Sequence, residues 1–181
     1  PRSTLFPYTT LFRSAHDEIL ATRDQLAKLR AAIEYPNDVF PAGDYLWQKT
    51  PTGSTMNWAN AVTHCEDLVL AGYDDWRLPS ISELRSLIRG CDATQTGGSC
   101  GVTDDCLASE CLNAVACDGC GPGGGPDGGS YWPSPIEGTS SFYWSSSSRE
   151  GYIDEAWVES FNSGRLTNSS KSAGYLVRCV R

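Results

Sequence analysis

Gly72-Tyr73-Asp74-Asp75-Trp76-Arg77-Leu78-Pro79-Ser80-Ile81-Ser82-Glu83-Leu84 decides how this chain is read. Trp76-Arg77-Leu78 reads as a short strand. Pro79 stops it, because proline has no N–H to give to a ladder. Ser80 follows as a helix N-cap, with Glu83 three residues on. This is the S-x-x-E capping box, in which each side chain satisfies an orphan N–H at the other residue. The spacing predicts a helix over 81–89, with Ile81, Leu84, Leu87 and Ile88 on one buried face. Gly90 ends it.

Toward the N-terminus, Tyr45-Leu46-Trp47-Gln48-Lys49 reads as a strand and Pro51-Thr52-Gly53-Ser54 as a turn. A helix is expected from about 57 to 70, with Trp58, Ala61, Val62, Cys65 and Leu68 or Val69 turned inward. His64 has no carboxylate or second ligand in register and reads as a surface histidine. Toward the C-terminus, 142–146 and 156–161 read as strands, with Trp157 and Phe161 on one face. Asn162-Ser163-Gly164 is expected to be a three-residue hairpin loop with glycine in the left-handed position. Residues 168–174 read as a small-residue loop. Residues 175–181 read as a last strand, alternating Tyr175, Val177 and Cys179 onto one face. The fold class is α+β, with two helices and an antiparallel sheet.

The chain has 181 residues and a formal net charge of -8. That charge argues against non-specific binding to nucleic acid or to anionic membrane. No apolar run approaches the ~18 residues of a membrane span. Eight cysteines, six of them between Cys91 and Cys120, read as disulfides made in an oxidising compartment. Zinc is the rival, but Cys117-Asp118-Gly119-Cys120 has no second C-x-x-C to complete a site. Residues 91–130 form a glycine-rich insertion with little apolar payload. Disulfides among Cys91, Cys100, Cys106, Cys111, Cys117 and Cys120 would order it, in a pairing the sequence does not choose.

Residues 1–14, PRSTLFPYTTLFRS, lack heptad, cap and alternation, and are expected to be non-native or disordered. Residues 15–35 form a helix with Ile19, Leu26, Leu29 and Ile33 on a/d positions. It is either the end of a coiled-coil stalk, giving a homo-oligomer through 15–34, or one amphipathic helix packed on its own domain.

The stretch from Gly72 to Leu84 resembles the G-x-x-D-W-R-L-P-[ST]-x-x-E-L signature of the DUF1566 family, also called the Lcl C-terminal domain family. Leu46-Trp47-Gln48-Lys49, Asn57-Trp58-Ala59-Asn60-Ala61, Tyr143-Trp144-Ser145-Ser146 and Ala156-Trp157-Val158 agree in order. The ending Val177-Arg178-Cys179-Val180-Arg181 is similar to the family's V-R-C-V-R. The resemblance covers about 39–181, within a domain taken as 36–181. It implies a C-type-lectin-like fold in a secreted or surface-attached bacterial protein, without catalytic activity; some members are adhesins for sulfated polysaccharides. A signal peptide is expected upstream of this fragment. The resemblance also implies a bridge between Cys65 and Cys179, since a disulfide joins those elements in C-type-lectin-like folds. Two buried free thiols are the alternative.

Three sets of residues are candidates for a ligand site. Residues 160–181 carry Arg165, Lys171, Arg178 and Arg181 and no acid, which suggests a basic patch for a sulfated or carboxylated polysaccharide. Arg77 and Arg178 are expected to be structural, pairing with carboxylates such as Glu83 or Asp75. Arg165 and Lys171, with the loop residues Asn162 and Asn168, are the expected contacts. Among the aromatics, Trp58 and Trp76 are assigned to the core, whereas Trp132 and Tyr152 lie beside loops and are candidates for sugar stacking. Asp104-Asp105, with Asp92, Asp118 and Asp127, form no spaced D-x-D-x-D-G loop and are taken as solvated acids. No metal or cofactor is expected. The sequence holds no G-x-S-x-G, H-E-x-x-H or phosphate-cradling loop. The formylglycine-generating enzymes share the broad fold but need a reactive cysteine pair. The expected function is a glycan-binding adhesion module. A ligand-free structural head and a hypervariable display domain are the alternatives.

Overall fold

The computed structural model describes Thr22 and residues 37–181. Thr22 is helical. The other residues of 1–36 lie outside the described set, and with them the expected stalk and its oligomer.

Two antiparallel sheets organise the unit Asp38–Arg181. The first pairs β1, Val39–Ala42, with β2, Tyr45–Gln48, from Val39↔Gln48 to Ala42↔Tyr45. Gly43, at φ +61°, opens their two-residue turn. Pro41 is tolerated in β1 because β1 is an edge strand. Helix α1, Trp58–Glu66, is capped by the Asn57 side chain, which accepts from the Asn60 N–H at 2.9 Å. It stops earlier than expected because Leu70 and Tyr73 exchange two 3.0 Å hydrogen bonds around Ala71 (φ +56°) and Gly72 (φ +83°). Ala61 and Cys65 face inward; Trp58, Val62 and Leu68 are only half-buried, and Val69 is exposed.

Helix α2, Ile81–Ser86, begins with the expected capping box. The Ser80 N–H donates to Glu83 Oε2 at 2.8 Å, and Ser80 Oγ accepts from the Glu83 N–H at 3.2 Å. Ile81, Leu84, Leu87 and Ile88 are all buried, as their spacing indicated. The helix is three residues shorter than expected. Leu87 and Ile88 fall into i→i+3 bonds, and the Arg89 N–H leaves to donate to Tyr131 O at 2.9 Å. The expected strand 76–78 is a single bridge, Arg77↔Val180.

The second sheet has the order β3-β4-β5: Phe142–Ser148, Glu155–Ser160 and Arg165–Ser170. A register shift between Trp144 and Ser148 frees the Ser146 N–H to donate to Pro79 O at 2.8 Å, tying the sheet to the decisive stretch. The β4–β5 loop has four residues, 161–164, rather than three, closed by the Gly164 N–H on Ser160 O at 2.8 Å. Gly164 takes φ +65° as expected. Strand β5 also takes up 168–170, so the loop expected over 168–174 shrinks to 171–174.

Residues 175–181 do not form a continuous strand. They stitch the sheets together through bridges Met56↔Tyr175, Tyr143↔Leu176 (parallel), Trp47↔Val180 and Arg77↔Val180. Leu176 through Val180 are buried on both faces, so alternation does not apply there. The disulfide Cys65–Cys179 locks this segment to α1. The other six cysteines pair in a nest, Cys91–Cys120 around Cys100–Cys117 around Cys106–Cys111. A short helix α3, Ala114–Cys117, sits inside the nest.

The core falls into two clusters. The larger joins Phe40, Trp47, Leu84, Tyr143, Phe161 and Val180 with their neighbours. The smaller joins Ile81, Trp157 and Leu166 to the insertion's Cys100, Val102, Cys111 and Cys117. Trp157 and Phe161, expected to share one face, therefore serve different clusters. Glu159, between them in sequence, is fully buried and neither carboxylate oxygen has a hydrogen-bond partner. Desolvation pushes its pKa well up, against the pull of nearby Arg85. Arg85 is itself buried and spends its guanidinium on the carbonyls of Thr94, Gln95 and Val102.

Candidate functional site

The residues expected to contact a ligand divide among three places. Trp132 is in the core. Only 3% of its surface is exposed, and it packs on Tyr143 and Phe161 with the Arg178 guanidinium 5.3 Å from its ring. It is removed from the candidate set, because its aromatic neighbours draw it inward despite the adjacent loop.

Asn162 and Arg165 lie at the β4–β5 tip, which the insertion covers. The Cys120 N–H donates to Ser163 O at 2.8 Å and the Gly123 N–H to Asn162 O at 2.9 Å. Arg165 Nε faces Asp118 Oδ1 at 3.4 Å, both half or more exposed. Gly119 packs so closely here that a Cβ would sit 2.3 Å from Ser163 O. This loop is an internal docking surface, although Asn162 stays exposed.

Tyr152, Asn168 and Lys171 meet at the opposite end of the sheet, around the β3–β4 turn, 149–154. Arg149 organises it. Its Nη1 pairs with Glu155 Oε2, its Nη2 donates to Ser109 Oγ at 2.7 Å, and its guanidinium lies 3.8 Å from the Tyr152 ring centroid. Asn168 Nδ2 donates to the same Glu155 oxygen at 2.6 Å. Lys171 Nζ donates to Ile153 O at 2.9 Å and stands 4.3 Å from the Trp58 ring centroid. Its backbone N–H holds Asp154 O at 2.7 Å, and its carbonyl accepts from the Trp58 N–H at 3.0 Å. The turn presents Tyr152 (47% exposed) and Ile153 (85% exposed) on a framework of paired charges. Sequence reading missed Arg149, Ile153 and Glu155. The signal was the charged, glycine-containing turn Arg149-Glu150-Gly151-Tyr152-Ile153-Asp154 between two strands.

The expected basic patch is dispersed. Arg165 faces Asp118, and Arg181 forks onto Asp75 at 2.6 and 3.0 Å. Arg178 is fully buried and grips the carbonyls of Gln48, Lys49 and Glu137, not a carboxylate as expected. Burial pulls its pKa down. Arg77 meets Glu83 as expected, at 2.7 and 2.6 Å. Hydrogen bonds from Arg77 and the Ser80 N–H hold the Glu83 carboxyl below its ordinary range, despite a burial penalty that is the largest single influence.

Other candidates are also in use. Asp104, expected to be a solvated acid, accepts from Ser80 Oγ at 2.6 Å and Ser147 Oγ at 3.2 Å, next to the α2 cap. Among the described residues, no group of three or more His, Cys, Asp or Glu is placed to hold a metal ion. His64, expected at the surface, is half-buried, and its Nε2 is buried without a hydrogen-bond partner. It lines a cavity of about 420 Å³ with Asn60, Thr63, Asp67, Leu68 and Val69.

A disulfide-stapled α+β module, with its C-terminal segment locked to its first helix, defines the class. Residues 42–181 match the sequence model of the Lcl C-terminal domain, and the chain belongs to the Lcl C-terminal domain family. Comparison with curated proteins gives no match. Four disulfides fit an extracellular domain, and no helix among the described residues is long and apolar enough to cross a membrane.

Proposed function

We propose that this chain is a secreted or surface-attached, non-catalytic module of C-type-lectin-like fold that binds glycans through the β3–β4 turn. The observation that carries this reading is the gathering of Tyr152, Asn168 and Lys171 at one exposed end of the sheet. Tyr152 is backed by a guanidinium, so its ring is held rigid with one face spent and the other free for the C–H face of a sugar. Side-chain hydroxyls of Ser170, at the end of β5, and Ser172, in the turn after it, stand 2.9 Å apart and add donors and acceptors. Asn168 and Lys171 position the platform, since both are already engaged.

The test is a glycan array probed with the full chain and with Tyr152→Ala. Binding that falls about tenfold in the variant, with an unchanged melting curve, supports the platform. No glycan binding at all, or binding indifferent to Tyr152→Ala, overturns it. The second reading is a structural head without a ligand. It is favoured by the β4–β5 tip, where the expected contact residues serve the insertion instead.

A further inference from the structure

We infer that the glycan taken by the Tyr152–Ile153 tip carries protonated amines: a polymer of deacetylated amino sugars, rather than a sulfated one. This rests on the glycan reading above and specifies its ligand class. The tip is an exposed aromatic–aliphatic pair, and its rim is acidic. Glu150 and Asp154 flank it and are both exposed. The Glu150 N–H donates to Leu107 O at 3.0 Å, and Arg149 reaches Ser109. These contacts draw the loop bearing exposed Asp105 and Glu110 against the turn.

The two nearby cations are committed, Arg149 to Glu155 and Lys171 to the Ile153 carbonyl and the Trp58 ring. Five carboxylates (Asp105, Glu110, Glu150, Asp154, Glu155) thus stand against two cations, a local net charge of -3. The wider domain gives a polyanion no better landing. Residues 38–181 hold nine Lys and Arg against 18 Asp and Glu, a net of -9. Five of the nine are ion-paired and Arg85 and Arg178 are buried. A sulfated chain meets repulsion here. A polyamine chain meets carboxylates around a ring on which a sugar can stack, and weak contacts repeat along the polymer.

The experiment measures binding of the full chain to three glucosamine polymers, deacetylated, N-acetylated and N-sulfated, at mildly acidic pH and two salt concentrations. The expected result is a preference of about tenfold or more for the deacetylated polymer over the acetylated one, shrinking as salt rises, with the sulfated polymer weakest. Glu150→Gln/Asp154→Asn removes that preference by bringing the deacetylated polymer's affinity down to that of the acetylated one. Tyr152→Ala weakens both. Equal affinity for the acetylated and deacetylated polymers, or a preference for the sulfated one, overturns the inference and leaves the glycan reading standing. A preference that survives Glu150→Gln/Asp154→Asn assigns the attraction to net charge and overturns it too. Polylysine bound more tightly than any of the sugars reassigns the tip to a basic protein. Failure to bind all three sugars, or any other glycan, sinks the glycan reading itself.

Discussion

Glu159 is the residue whose environment most departs from its chemistry. It sits in β4 with no hydrogen-bond partner, and burial raises its pKa. In the unfolded chain it ionises in the ordinary carboxylate range, while in the fold it keeps its proton to higher pH. The contribution of Glu159 to stability is therefore greatest below the unfolded value and falls as pH rises from there toward the folded value. Glu159→Gln is expected to flatten this dependence, read from denaturant midpoints across pH. Ala71 carries a smaller burden. It is the single non-glycine among the described residues with positive φ, at +56°. Asn tolerates that region better than Ala does. Ala71→Asn should raise the unfolding free energy by roughly 0.5–1 kcal/mol, visible as a shift in melting temperature.

Among the elements, the insertion and the β4–β5 hairpin are built as a pair. Gly164 needs its left-handed φ, and a Cβ there would come within 3.0 Å of Cys91 Sγ. Gly164→Ala is expected to cost about 1–3 kcal/mol and to speed proteolysis of the insertion. The disulfides differ in weight because the loops they close differ in length. Replacing both Cys65 and Cys179 by Ala, which opens a separation of 114 residues, should cost about 4–5 kcal/mol. Removing Cys106–Cys111, with a separation of 5, should cost about 2 kcal/mol, and comparative denaturation of the two variants checks the ranking. The sequence showed the local devices clearly, namely the Ser80–Glu83 capping box, the buried face of α2 and Gly164 in its turn. Each depends on neighbours within a few residues. It showed poorly whatever depends on distant partners. Ser80, Ser147 and Asp104 meet across the fold, Trp132 is turned inward by Tyr143 and Phe161, and Arg165 is paired by an insertion with no periodicity to read. The same cause split the candidate site, since proximity along 162–171 concealed that its members stand at opposite ends of two strands.

For the whole molecule, the Lcl C-terminal domain places its charge on the outside as an excess of acid and keeps two arginines inside as hydrogen-bond hubs. Arg178 links β2 and the Glu137 carbonyl to the C-terminal segment. Arg178→Lys keeps the charge but cannot span three carbonyls with a planar fork, so it should destabilise by about 2–4 kcal/mol in a denaturation experiment. The stitching by residues 175–181 also has a consequence for biogenesis. The first sheet meets this segment across a separation of 133 residues, Trp47 to Val180, and the second across 33, Tyr143 to Leu176, so the pairing of the first is the slower to close. Cys65 emerges before six cysteines that belong to one another and meets its own partner after all of them. A chain with its cysteines in this order is exposed to wrong pairings wherever its disulfides form, and a disulfide-shuffling catalyst is expected to raise its folding yield.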